Sequence, residues 1–411
     1  MANTLVTPSW TLKEVGRGYE NSLKFIANVN RTYSDEYTQA GAKVGNTINY
    51  RLPQRWLVSD GQALDVQNIL DQTVPISLTN QKHVDMSWSA WQETTEVEEV
   101  RKRYVDPAAD ALASVIDGFA FSTVYRDVYN SIGTPGTTPS TTLAYLQAGR
   151  KLTDLGAPRK GRVAVLDSEA AIVLANTTTT LFNPQSIISE NYRDGMLGRG
   201  QLGISEWYED SNRPSFTTGA ITTAATPLVD GASQTGATIN INGWASGATN
   251  LKKGDILTIA GVYSVNPLSY VSTGRLQQFV ITADTADSSG ATTTLPISPS
   301  IITSGSLQTV SNSPANDAVV TYWSMSAGGT QAATASPTGM VFHPDAFAFV
   351  TADLALPAGG AKAVRINSKA RGVALRMAEQ WDVQTDQNIT RIDTLVGAAT
   401  LQARMAVRVQ G

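Results

Sequence analysis

The chain has 411 residues, 42% hydrophobic and 16% charged, with a formal net charge of −4. That length supports two or three domains with their own cores, and the charge balance excludes a global basic field for gripping nucleic acid or an anionic membrane. Cysteine is absent, which excludes a disulfide framework, a thiolate nucleophile and any cysteine-based zinc or iron–sulfur centre.

No run of about 18 apolar residues exists, so no helical membrane span is expected. The opening MANTLVTPSWTLKEV has no basic stretch leading into an apolar core, so no secretory signal is expected. Residues 1–43 read as an arm. Leu12, Val15 and Tyr19, then Leu23, Ile26 and Ala27, predict two short helical pieces near Thr11–Tyr19 and Asn21–Asn28, followed by polar RTYSDEYTQAGAKVG. Such an arm is expected to bury little against its own body and to lie on something else.

Residues 44–92 alternate with period two. Ile48, Tyr50 and Leu52 form one such series; Val74, Ile76 and Leu78, continued by Val84, Met86 and Trp88, form another. Each predicts a strand with one covered face. Between them lies LPQRWLVSDGQALDVQNILDQ, with Asp60-Gly61 as a turn signal. The expectation is a long β-hairpin with an elaborated tip. A lone hairpin is marginal in water, so one carrying Trp56 and Leu57 towards its tip needs a surface to lie on, either a neighbour's or its own domain's.

DPAADALASVIDGFAFSTVYRDVYNS, residues 106–131, predicts one long helix. Asp106 and Pro107 suit its start, and Leu112, Val115, Ile116, Phe119 and Ala120 recur at helical spacing, with Val124 and Val128 continuing the face. At about 1.5 Å per residue it would span nearly 40 Å. Ser140 is expected to cap a second helix bearing Tyr145, Ala148, Leu152 and Leu155 on one face, stopped by Gly156 and Pro158. RVAVLDSEAAIVLAN then predicts a buried strand, a polar cap and a helix. GMVFHPDAFAFVTADL, residues 339–354, predicts the same unit again, so the two are expected in one sheet-centred body split in sequence.

Residues 214–337, between those units, are rich in Thr, Ser, Ala and Gly. Strand-like pieces ATINING, DILTIAGVYSV, LQQFVITAD, TTTLPISP, LQTVS and AVVTYWSM are punctuated by turn signals, which predicts an inserted antiparallel barrel or sandwich. Two further strands are expected at 374–383 and 401–410. In the second, Ala403, Met405, Val407 and Val409 alternate with Arg404, Ala406 and Arg408.

Chemistry is sparse. His83 and His343 are the only histidines, without HxH or HExxH spacing, so no metal site is expected. The run Glu93, Glu96, Glu98, Glu99 before Arg101, Lys102 and Arg103 reads as a solvated or pairing surface. GMLGRGQLG, residues 195–203, has neither Walker nor dinucleotide-binding context and reads as a loop; the GxSxG elbow is absent. With no base–nucleophile pair, no enzyme and no cofactor are expected.

The order of parts, together with three local stretches, carries a resemblance. KKGDILTIAGVYSVNP (252–267), NYRDGMLGR (191–199) and PISLTNQKHVDMSWSA (75–90) are similar to segments of the major capsid proteins of tailed double-stranded DNA phages with the HK97 (Hong Kong 97) fold. Within them the chain resembles the branch with an extra inserted barrel, typified by the coat protein of the Salmonella short-tailed phage. The resemblance implies an α+β capsid fold: an N-terminal arm (1–43), an extended loop (44–92), a peripheral domain with a spine helix (93–160), an axial domain in two parts (161–213 and 338–385), the inserted barrel (214–337) and a returning C-terminal strand (386–411). It implies hexamers and pentamers in an icosahedral shell, a scaffolding protein during assembly, a portal at one vertex and enclosed double-stranded DNA, with assembly in the host cytoplasm and the virion as destination. Some members cross-link a lysine of the extended loop. No lysine occurs from Val44 to Gln81 here, so contacts are expected to be non-covalent. Arg51, Arg55 and Asp60 are available for intersubunit ion pairs worth about 0.2–1 kcal/mol each. Trp56 and Leu57 are the apolar anchors expected to matter more. The rival reading is a bacterial cell-surface or carbohydrate-binding β-rich protein, suggested by the Thr/Ser-rich insertion; a metal-free hydrolase is third and lacks its nucleophile.

Overall fold

The computed structural model describes residues 23–32, 47–89, 91, 106–178, 203–210, 213–221, 226–244, 249–287, 292–326, 329–357, 362–368 and 373–410. The expected helix at Thr11–Tyr19, the acidic run at 93–99 and the 195–203 loop fall outside these, apart from Gly203. The chain divides into two compact units.

The first unit comprises Met1–Tyr50, Val74–Phe121 and Phe347–Ala399. A ribbon pairs β1 (Thr47–Arg51) with β2 (Thr73–Ser77). The second period-two series does not continue this ribbon. After Leu78 it becomes β3 (Asn80–Ser89), which pairs antiparallel along β22 (Gln387–Thr400), from Asn80↔Val396 to Ser89↔Gln387. The expected long hairpin is therefore a short ribbon, and its second arm belongs to a larger sheet. That sheet runs β19 (Phe347–Ala352), β22, β21 (Val373–Asp382), β20 (Lys362–Ser368). Val84, Met86 and Trp88 alternate with more exposed partners as the period predicts.

Two expectations fail in this unit. FAFVTA forms strand β19 and not a helix; its first five residues are buried. A continuous apolar run hides the period, and aromatic and β-branched residues favour the strand. The arm, where described, is not free. Leu23, Phe25, Ile26 and Val29 are buried. Asp117 is also buried and accepts hydrogen bonds from the Phe25 and Ile26 N–H groups at 3.1 and 2.8 Å. Only a 3-10 turn, Ile26–Asn28, forms there.

Helix α1 (Asp106–Tyr125) has 20 residues, about 30 Å. Leu112, Ile116, Ala120 and Val124 are buried as predicted, whereas Phe119 is half-buried and Val115 exposed; Phe121, not on the predicted face, is buried too. The helix stops six residues early. Asp127 and Val128 N–H bond back to Val124 and Tyr125 carbonyls in tight i→i−3 turns, and the chain leaves to form β4 (Ser131–Ile132).

The second unit comprises Arg51–Thr73, Ser122–Ala346 and Thr400–Gly411. Its five-stranded sheet has the order β4, β23 (Ala406–Val409), β18 (Gly339–Phe342), β5 (Val163–Leu166), β6 (Glu206–Glu209). Met340 lies opposite Val165, so the two sequence-distant strand units share one sheet. Helix α2 (Thr142–Asp154) buries Tyr145, Ala148 and Leu152, as its spacing predicts. Helix α3 (Ser168–Thr178) follows β5. The predicted terminal strand is divided: a 3-10 turn, Ala403–Met405, precedes β23, all four of whose residues are buried. Arg408, which alternates with the apolar residues in sequence, lies in a strand flanked by neighbours and is fully buried.

Within 214–337 six antiparallel strands form one sheet: β16 (Val320–Tyr322), β12 (Ile256–Val265), β13 (Ser272–Ile281), β15 (Thr293–Ile301), β10 (Gly236–Asn242), β9 (Leu228–Val229). Its outer ends meet, because Val229 N–H donates to the Ala318 carbonyl at 3.0 Å and Val320 N–H to the Pro227 carbonyl at 2.9 Å. Ile239, Ile241, Leu257, Ile259, Phe279 and Leu295 fill the interior. LQTVS makes only a bridge, Ser264↔Val310. Beside this sheet lie a three-stranded one, β14 (Thr285–Asp287), β11 (Thr249–Leu251), β8 (Ala220–Ile221), and the pair β17 (Ala335–Ser336) with β7 (Phe216–Thr217).

Candidate assembly surface

The connection from Arg51 to Thr73 carries most of the residues singled out from sequence. Its ends close where Leu52 N–H donates to the Gln72 carbonyl at 2.8 Å. Further out, the Gln67 carboxamide acts as a rung. It accepts from Leu57 N–H at 2.9 Å and donates to the Leu57 carbonyl at 2.6 Å. Ser59 donates to Asp65 at 2.7 Å, and Gly61, with φ +101°, takes the turn in a conformation open to glycine. The Tyr270 hydroxyl lies 3.0 Å from the Ser306 carbonyl and 3.3 Å from the Trp56 carbonyl, so its one proton is shared between the loop and residue 306.

This polar skeleton holds apolar side chains outward. Trp56, Leu57, Val58, Leu64, Val66, Ile69 and Leu70 are all exposed, Val58 at 92% and Leu64 at 89%. They make up a third of the exposed large hydrophobic residues among those described. Scattered exposed leucines are ordinary; this many in 23 consecutive residues is a concentrated apolar patch and makes the loop the candidate contact surface. Covering the most exposed, Val58 and Leu64, would contribute about 1.5–3 kcal/mol each before ordering and association costs, and the partly covered Leu57 and Leu70 correspondingly less.

The five residues chosen from sequence separate. Trp56, Leu57 and Asp60 lie in the exposed stretch. Arg51 sits 3.9 Å from Asp71 of the same loop, both highly exposed, so part of its charge is met within the subunit. Arg55 is half-buried and lines a groove at the root of the loop. Leu64, Val66, Ile69 and Leu70 were missed, although their apolar character between polar neighbours was a visible signal.

A second set of residues joins the six-stranded sheet to the five-stranded one. Gln278 on β13 accepts from Ser131 N–H at 2.8 Å and donates to the Ser131 carbonyl at 3.1 Å. Lys151 of α2 donates to the same carboxamide oxygen. Burial first, then the charges of Arg150 and Arg275, pull the Lys151 amine down to about 7. Trp323 donates to the Gly133 carbonyl at 2.7 Å. Arg408 stacks over Tyr125 at 4.6 Å and donates to the Gly254 carbonyl at 2.7 Å; burial lowers its pKa to about 10. Asp255 accepts from Lys252 and Gly219 N–H groups, yet burial outweighs these bonds and raises its pKa to about 6. Only glycine fits at 219, where a Cβ would lie 2.3 Å from the Asn250 carbonyl oxygen. None of this was read from sequence: apart from the local Lys252–Asp255 turn, each pair is separated by tens to hundreds of residues. These groups are structural: they hold one sheet on another and converge on no common substrate position.

A family model described as P22 coat protein, gene protein 5, matches residues 3–411. Among solved structures, one from Mycobacterium phage Che8 is 15% identical with a TM-score of 0.47, over 94% of this chain and 90% of that one. The mature capsid of bacteriophage PhiM1 is 10% identical with a TM-score of 0.40, over 94% and 88%. The CUS-3 coat protein I-domain is 25% identical with a TM-score of 0.19, over 25% of this chain and 96% of that one. No curated protein matches the chain. The match over nearly the full length sets aside both the cell-surface and the hydrolase readings: this chain belongs to the P22 coat protein family and is a major capsid protein, a structural and non-enzymatic subunit of the icosahedral head shell of a tailed phage.

Proposed function

We propose that the 51–73 loop is the clamp by which one coat subunit grips the next, non-covalently, in a shell of hexamers and pentamers. The observation that carries this is the row of outward apolar side chains from Trp56 to Leu70 on a loop braced by its own polar bonds. Trp56 and Leu57 act as anchors. Asp60, and Arg51 once released from Asp71, supply rim ion pairs that set register more than affinity.

The same reading assigns an HK97-like fold, with residues 1–43 as the arm, 93–160 as the peripheral domain, 161–213 and 338–385 as the axial domain, 386–411 as the returning strand and 214–337 as an inserted barrel. Its support is the sheet shared by β5 and β18 and the bonded outer ends of the six-stranded sheet. Assembly in the host cytoplasm with a scaffolding protein, a portal at one vertex and a DNA filling held without sequence-specific contacts complete the proposal. The net charge of −4 suits a wall that does not adhere to its contents.

Deleting Arg55–Gln67 is the test. The expected outcome is a soluble subunit with an unchanged unfolding transition and no closed shells by sedimentation and negative-stain imaging when a scaffolding partner is present. Shells of normal size and yield from that deletion would end the clamp reading.

A further inference from the structure

At the root of the 51–73 loop, within the second unit, opens a groove of about 500 Å³. Tyr129, Leu155 and Val280 give it apolar walls. Two guanidinium groups face it, Arg55 from the loop and Arg404 from the 3-10 turn before β23. Arg404 donates through Nε and Nη2 to one neutral acceptor, the Gln402 carboxamide oxygen, at 3.2 and 2.9 Å. Among the described residues no carboxylate pairs with either arginine. The carboxylate that does line the groove, Asp127, is already engaged by Lys253 at 2.9 Å and by the Thr400 hydroxyl at 3.2 Å.

The two arginines feel one another. Burial and then the Arg55 charge depress the Arg404 pKa, and both charges act on the Tyr129 phenol, which burial nonetheless lifts to about 12. Two half-buried like charges beside apolar walls leave an electrostatic deficit that one anion between them would cancel. The planar fork of a guanidinium matches a carboxylate in two parallel bonds. Carboxylates outnumber cations in this chain, 35 to 31, so any neighbouring copy brings them in surplus.

We propose that this groove receives a carboxylate side chain of a neighbouring copy of the coat protein, clasped between Arg55 and Arg404. The proposal rests on the loop lying at a contact between subunits. It adds a polar lock at the loop's root to the apolar grip along its length.

The test compares R55Q and R404Q in the full-length protein, assembled with scaffolding protein. Two readouts are taken: melting of the unassembled subunit, and denaturant-driven dissociation of empty shells by light scattering. The expected result is a subunit that melts at or slightly above the wild-type temperature, because a repulsion is relieved, and shells whose contacts weaken by about tenfold or more, as loss of one side of a buried charge pair costs. The double variant should be little worse than either single one, since both serve one ligand. Shells as resistant as wild type would overturn the proposal, as would a subunit destabilised in step with its shells. Weakening seen only in DNA-filled shells would also overturn it, by making phosphate the occupant. If R404Q does not fold, R55Q and R55E decide alone, with R55E expected to block closure. Arg404 lies outside the loop, so failure here leaves the Arg55–Gln67 deletion free to judge the clamp separately.

Discussion

The 51–73 loop and the six-stranded sheet of residues 228–322 use the same apolar residue types in opposite ways. In the sheet, Ile239, Leu257, Phe279 and Leu295 are wholly buried. In the loop, Val58, Leu64, Val66 and Ile69 stand largely in solvent. The sheet joins its own outer ends, so its apolar faces are satisfied by one chain. The loop satisfies only its backbone, through Gln67 and Leu52, and leaves its side chains waiting. On the clamp reading proposed above, stability of the folded subunit and stability of the shell are stored in different stretches of one polypeptide.

Substitutions should separate the two stores. Leu257→Ala in the sheet removes a fully buried side chain and should cost the subunit about 2–5 kcal/mol in guanidinium unfolding. A loss below 1 kcal/mol would show that this interior is looser than its burial implies. At the seam, Lys151→Met should change the response to pH. The folded chain releases the Lys151 proton near 7 and the unfolded chain near 10.5, so between those values the unfolded state holds more protons and wild-type stability rises with pH. The slope is at most about 1.4 kcal/mol per pH unit from this group. The methionine variant should flatten the profile of melting temperature from pH 7 to 10, and an unchanged profile would place the charge elsewhere. Leu64→Ala should move the subunit's own stability by less than about 0.5 kcal/mol while lowering the resistance of shells to denaturant. Equal effects on both would erase the contrast. The smallest change is expected from Arg51→Gln, within about 0.5 kcal/mol for the subunit, because it and its partner Asp71 are both largely exposed.

Much of this architecture was legible where one face of an element is covered and the other is not. Val84, Met86 and Trp88 on β3, and Tyr145, Ala148 and Leu152 on α2, keep the period of their element and were read correctly. Legibility fails where both faces are covered. FAFVTA has no period to read, and β23 hides Arg408 among apolar neighbours. Strand β22 was missed for the opposite reason. Its interior carries Thr390, Asp393 and Thr394, which look solvated in sequence. Asp393 is buried because Arg376 grips it through both nitrogens, at 2.9 and 2.5 Å, with Gln81 and Arg391 adding to the same carboxylate. In the 51–73 loop, Trp56 and Leu57 stand out in sequence by their apolarity near a turn and Asp60 as a charge available for pairing, and all three lie in the exposed stretch. The approach of Arg55 to Arg404 was not legible, since nearly the whole chain lies between them.

The Gln278 carboxamide, which meets both backbone groups of Ser131, does the work of a missing strand with a single side chain. A module fastened this way behaves as a plug in a socket. A change confined to the interior of the six-stranded sheet leaves that seam in place, provided Gln278, Lys151, Trp323 and Arg408 keep their partners across it.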